Sequence, residues 1–217
     1  MSLSETILLP STYLGPVSYF AHIVQPGNVI LDLHEHYIKQ TYRNRCRILT
    51  ANGVLNLIIP VIKVNGNHTK VQDVVIDYSE KWQINHWRAI ESAYNNAPFF
   101  LYYREELEPI YRKTFRLLAE FNSALLETLM TLIGLEKEIA CAEAYVQAKT
   151  PDEVDLRGGF SPKQQNSPVN FPAYSQVFSE RSGFQPDLSI VDLLFNLGPD
   201  TKDYLLSLDL QRSNHSA

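Results

Sequence analysis

RCRILTANGVLNLIIPVIK, residues 45–63, consists of two β-rich runs on either side of Asn52-Gly53. Asparagine and glycine both tolerate the positive φ that a two-residue type I′ turn demands, so the run predicts a β-hairpin with strands over 43–50 and 54–63. That commits the middle of the chain to antiparallel pairing. An all-helical fold and a purely parallel sheet are both ruled out.

The flanking segments add layers. ETILLP predicts a strand over 5–9 stopped by Pro10, and NVILDL a strand over 28–33 whose apolar run implies burial on both faces. Between them Pro16 suits a first helical position, and PVSYFAHIV reads as a short helix with Ser18 near its positive end. VQDVVID, 71–77, reads as another strand. Ile84, Trp87, Ile90, Tyr94 and Ala97 then fall three or four apart, a helix over 81–97 ended by Pro98. Leu107, Tyr111, Leu118, Phe121, Leu125, Leu129 and Leu132 predict a second long helix over 106–133, with Gly134 at its C-cap. KEIACAEAYV returns as a strand over 138–146. The expected fold is a single α/β domain over 1–217. Its mixed sheet has a central hairpin, two long helices cover it, and C-terminal helices follow.

Residues 149–187 depart from this pattern, with five prolines and three glycines. Phe160, Phe171, Tyr174, Phe178 and Phe184 need burial, so the segment reads as a Pro- and aromatic-rich excursion folded over the domain. Ser189 is a helix N-cap with Asp192 at capping-box distance, DTKDYLLSL forms a last helical stretch, and a tail over 211–217 is expected to fray.

A net charge of −5 gives no overall electrostatic case for nucleic acid, so anion binding has to come from a local cluster. Met1–Pro10 lacks a basic run, and no apolar run approaches the roughly 18 residues of a membrane span, so a cytoplasmic protein without one is expected. Cys46 and Cys141 lie far apart without CxxC spacing and read as reduced thiols. The sequence carries no GxGxxG, Walker A, GxSxG or HExxH pattern, and neither cofactor nor tightly bound metal is expected.

The densest chemistry is HEHYIKQTYRNRCRI, 34–48. On a strand beginning near Arg43, Arg43, Arg45 and Arg47 alternate onto one face, about 7 Å apart, while Asn44, Cys46 and Ile48 take the other. Guanidinium forks so placed form a receptor for phosphate or carboxylate, with Lys39 as a fourth charge; the alternative is a solvated face paired with acids. Asp32, His34 and His36 also alternate. Their spacing admits a metal, a proton-transfer histidine, or plain surface histidines. His22 reads as a core histidine on a short apolar helix. Trp82 and His86, one helical turn apart, read either as a ligand-stacking edge or as packing against the sheet.

HEHYIKQTYRNRCRILTANGVLNLIIPV resembles the WbqC-like protein family, whose members carry a Tyr-x-Lys…Asn-Arg tract leading into a hairpin. KWQINHWRAIESAYNNAPFFLYY and LSIVDLLFNLGPDTKDYL match later blocks of the same family in the same order. The matching positions are Tyr37, Lys39, Asn44 and Arg45, with Trp82 and Tyr94 in the second block. The chain departs at LPSTYLGP, where Leu9 stands in place of a glutamine, and at His36, where relatives carry asparagine. The family is named for a gene of bacterial surface-polysaccharide clusters, and the resemblance implies a sugar-modifying or aminoacyl-type transferase. On that reading His34 or Glu35 is the base, and Tyr37, Lys39, Arg43, Asn44, Arg45, Trp82 and His86 bind substrate. The partner is an anionic small molecule: a nucleotide-sugar, a sugar phosphate or an acyl donor. A non-catalytic protein binding the same ligand, and a metal-dependent hydrolase built on Asp32, His34 and His36, are the alternatives.

Overall fold

The structure is a computed structural model describing residues 6–148, 150, 153–162 and 169–210. It is mixed α/β. β1 (Thr6–Leu9) runs through α1 (Val17–Val24) into β2 (Asn28–Leu31), which pairs parallel to β1 from Thr6 opposite Asn28 to Leu9 opposite Leu31. β3 (Arg45–Thr50) and β4 (Gly53–Ile58) form the hairpin, and β5 (Val61–Ile62) pairs antiparallel with β6 (Val75–Ile76). The helices α2 (Trp82–Tyr94), α3 (Phe100–Arg112) and α4 (Leu118–Ile133) follow. β7 (Ala140–Cys141) and β8 (Glu153–Asp155) then complete a four-stranded parallel sheet in the order β7-β2-β1-β8. α5 (Ser179–Ser182), α6 (Ile190–Leu197) and α7 (Thr201–Ser207) end the described chain.

Hairpin and parallel strands therefore form separate sheets rather than one. The segments expected as strands over 28–33, 43–50, 54–63 and 138–146 are shorter because polar anchors or proline end them. Asp32 leaves β2 as its carboxylate turns to side-chain and backbone partners, and Pro60, which has no N–H, separates β4 from β5. Residues 71–77 open as a 3₁₀ turn before β6. The turn also differs from type I′: Ala51 and Asn52 form it, and only Gly53 takes a positive φ, of 98°. Thr50 Oγ donates to the Gly53 carbonyl at 2.8 Å and accepts from Asn52 N–H at 3.3 Å. The stretch 106–133 is two helices. Its chain breaks at Lys113–Leu117 because Ile76 N–H donates to Arg116 O and Leu118 N–H to Val74 O, so backbone pairing with β6 outcompetes helix continuation.

The excursion is partly regular, since β8 lies inside 149–187. Phe160 packs edge-on to Tyr19 and His22 of α1, and Tyr174 edge-on to Phe184 and Tyr204. Asp187 caps α1 from afar, accepting from Ser18 N–H at 2.8 Å and Ser18 Oγ at 3.0 Å. Asp192 is fully buried and holds the cover instead of closing a capping box. It accepts from Tyr174 Oη at 2.6 Å, Gln176 Nε2 at 2.8 Å and Tyr94 Oη at 2.9 Å, and burial raises its pKa. Gly198 lets the end of α6 meet the start of α3: its φ is 57°, and a Cβ there would lie 2.5 Å from the Phe99 ring. The tail expected over 211–217 lies outside the described residues.

α2 lies on β3, and its contact buries a polar chain. His86 donates to the Ile58 carbonyl, leaving Nδ1 to accept from Tyr13 Oη at 3.0 Å, while Tyr13 and Tyr111 hydroxyls sit 2.8 Å apart. Burial lowers the His86 pKa to about 4 from an ordinary 6.5, and does the same to His22. The folded chain therefore resists protons that the unfolded chain accepts. Stability is intact above pH 6.5 and falls as pH drops toward 4, by up to about 1.4 kcal/mol per pH unit for each such histidine. Urea unfolding between these limits should show a shallower slope for His86→Gln than for the parent, by about one proton; identical slopes would mean that His86 titrates normally.

Candidate functional site

The carboxyl ends of the parallel strands carry a concentration of buried polar groups. Asp32 follows β2, Asp155 ends β8, and Arg157 lies two residues further on. Arg157 donates through Nη1 to the Asp32 carboxylate, and through Nε at 2.9 Å and Nη2 at 2.5 Å to Asp155. Its guanidinium carbon sits 4.7 Å from the centroid of the Tyr145 ring. Asp32 also accepts from His34 N–H at 2.8 Å and Val146 N–H at 3.2 Å. The pair acts in one electrostatic sense: Arg157 holds the Asp155 carboxyl below its ordinary pKa, and Asp155 holds the guanidinium above its own.

A second pair lies beside the first. Arg43, 1 % exposed, donates from Nε to Glu35 Oε1 at 2.9 Å and from Nη2 to Oε2 at 2.7 Å. Nη1 donates to Thr41 Oγ at 3.1 Å, and Nη2 also to the Arg157 carbonyl at 3.0 Å. The Arg43 carbonyl accepts from Asn122 of α4 at 2.9 Å, and Asn122 also reaches Ser11 at 3.2 Å in the loop after β1. One cluster thus joins both β-layers, α4 and the excursion.

The structure separates the residues expected to act together. Arg43 precedes β3 rather than beginning it, so it is buried instead of alternating outward. Its fork is filled by Glu35, both of whose carboxylate oxygens accept from it. Arg45 and Arg47 do share the half-buried face, with Cys46 and Ile48 inward. Arg47 interacts with Tyr42 and Asp187, whereas Arg45 Nε has no hydrogen-bond partner. Tyr37 is buried, and burial pushes its phenol up to about 12 against the opposing charges of Arg45 and Arg43. Asn44 donates to Ile59 O at 2.8 Å, leaving its buried Oδ1 unpartnered. His34 is half-buried. Lys39 is exposed beside Lys63.

Trp82 and His86 belong to the core between α2, Phe121 and Tyr13, where their rings pack at 5.2 Å from each other. They offer no stacking edge. The metal set dissolves as well. Both Asp32 oxygens are taken, His36 bridges to Lys70 with its ring 5.8 Å from His68, and no group of metal-ligating side chains forms among the described residues. The residues that sequence reasoning missed are Arg157, Asp155, Asn122 and Ser11. Only the Asp-x-Arg spacing at 155–157 marks them, and it gains meaning once β8 is placed.

Breaking a buried ion pair leaves an unpaired charge, at about 3–5 kcal/mol. Glu35→Ala should cost that much in urea unfolding. A loss below about 1 kcal/mol, typical of exposed pairs, would show that Arg43 finds water instead.

A model of the WbqC-like protein family matches residues 11–157, a span that includes the tract, the hairpin and Arg157. An uncharacterized protein of Mycobacterium tuberculosis is 29% identical over 235 aligned residues, covering 94% of this chain and 98% of its own length. No solved structure matches the chain significantly. Among the described residues no helix is long and apolar enough to cross a membrane. With the family match extending over most of the sequence, the chain belongs to the WbqC-like protein family.

Proposed function

We propose that the chain is a cytoplasmic transferase acting on an activated, phosphate-bearing sugar or acyl donor in bacterial surface-polysaccharide biosynthesis. The observation that carries this reading is Arg45. It is a half-buried guanidinium whose Nε meets no protein acceptor, while its neighbour Arg43 is filled by Glu35. Desolvating a donor without an acceptor costs stability, and an incoming phosphate or carboxylate supplies the missing partner. Asn44 Oδ1, a buried acceptor without a donor, suits a substrate hydroxyl. Tyr37 orients the ligand, and His34, poised through its backbone on Asp32, acts as the base. Glu35 and Arg43 serve as positioning residues. The Arg43–Glu35 pair beside Arg45 in sequence joins the Asp32–Arg157 cluster at the carboxyl ends of the parallel strands, the edge where open α/β sheets bind ligands.

The second reading is a non-catalytic protein holding the same ligand. The filled state of Glu35 favours it, since His34 then stands as base without a partner acid. A thermal-shift screen of nucleotide-sugars, sugar phosphates and acyl phosphates should find a stabilising ligand, because binding to the folded state raises its stability by mass action. Arg45→Lys should weaken that ligand about tenfold to a hundredfold, the loss of a charge-assisted fork that lysine cannot copy. Stabilisation by no phosphate-bearing compound would refute the site. His34→Gln should abolish product formation while sparing affinity; binding without turnover in the parent would establish the second reading.

A further inference from the structure

Residues 36–72 contain none of the chain's 24 acidic residues but six of its 19 lysines and arginines. Charge so segregated in a chain of net −5 leaves the remainder strongly acidic. Folding concentrates part of it further. Tyr37 N–H donates to Thr69 O at 2.9 Å, Val71 N–H donates to Glu35 O at 3.0 Å, and His36 lies opposite Lys70, so segment 36–40 runs against 69–71. Lys39 comes close enough to Lys63 that the two ammonium groups repel. The result is a ridge made of 36–40 and 61–70.

Two features of this ridge are costly in water. Ile38, Ile62 and Val64 stand 49%, 50% and 61% exposed. Around them Lys39, Lys63 and Lys70 form no ion pair among the described residues; the Lys63 ammonium reaches only Asn67 Oδ1, at 2.8 Å. An interface with both hydrocarbon and anionic headgroups relieves both costs. Aliphatic side chains enter the acyl boundary, and lysines place ammonium groups among phosphates on flexible stems. Single-stranded nucleic acid is a poorer fit. It is held by stacking on exposed aromatic faces; the ridge's one Phe, Tyr or Trp, Tyr37, is buried, and its exposed imidazoles, His36 and His68, pack edge-on to each other.

We propose that this ridge docks the protein peripherally on an anionic lipid bilayer. The proposal is independent of the transferase reading, since Lys63, Lys70, Ile62 and Val64 lie outside that site.

The test is co-sedimentation of the full chain with vesicles of phosphatidylcholine alone or mixed equally with phosphatidylglycerol. The chain should sediment with the mixed vesicles and not the neutral ones, and should be released by salt. Lys63→Glu with Lys70→Glu should reduce binding by about thirtyfold or more, from ~1 kcal/mol per basic residue near an anionic surface. Ile62→Ser with Val64→Ser should weaken binding with all charges kept. Both double variants change exposed or half-exposed side chains, so their melting temperatures should match the parent's. Absence of sedimentation with the mixed vesicles, or full binding by the lysine variant, would overturn the proposal. So would an unaffected Ile62/Val64 variant whose binding duplex DNA competes away, because that pattern marks a general polyanion surface.

Discussion

Two carboxylates, Asp32 just after β2 and Asp155 at the end of β8, lie on either side of β1 in the parallel sheet, and the Arg157 guanidinium holds Asp155 and reaches across to Asp32. Burying Asp32 completely is tolerable only because that guanidinium and two backbone N–H groups meet it. With Arg157 fixed, its carbonyl is in place to receive Arg43, and Arg43 then holds Glu35 and Thr41. The polar tract therefore takes its shape from a residue more than a hundred positions away.

The apolar half of the molecule supports the same arrangement from below. Cys46 and Ile48 point from β3 into the core, so Arg45 and Arg47 have to point out. Asn122 on α4 carries that register to the loop after β1. On the far side Asp192 accepts only from neutral donors among the described residues and ties the cover to α2 and α6. Core and site share a frame because single side chains belong to both.

Much of this was legible in the residues. The hairpin, the strand–helix–strand opening and the helical period of α2 follow from local chemistry, and the family resemblance carried by the tract coincides with the family match. Three things were not legible. The break between α3 and α4 depends on backbone bonds to β6, whose own register is set by tertiary contact. β8 is three residues in a segment whose composition reads as a loop. Above all, alternation could not say that the strand starts two residues after Arg43, and that start separates the half-buried Arg45 from the buried fork of Arg43. The cluster of guanidinium groups was visible; which of them had a protein partner was a matter of folding.

The parallel sheet has a consequence for the order in which the molecule is made. β1 and β2, its central strands, leave the ribosome before β7 and β8, which flank them and lie beyond residue 139. Until β7 has been synthesised the sheet is a bare two-stranded parallel pair, too small to persist alone, and until Arg157 follows, Asp32 lacks its guanidinium partner. The hairpin has no such delay, because its strands are adjacent in sequence. A nascent chain therefore organises around the antiparallel middle before it closes its parallel sheet, so the Asp32–Arg157–Asp155 edge comes into being only after the hairpin has formed.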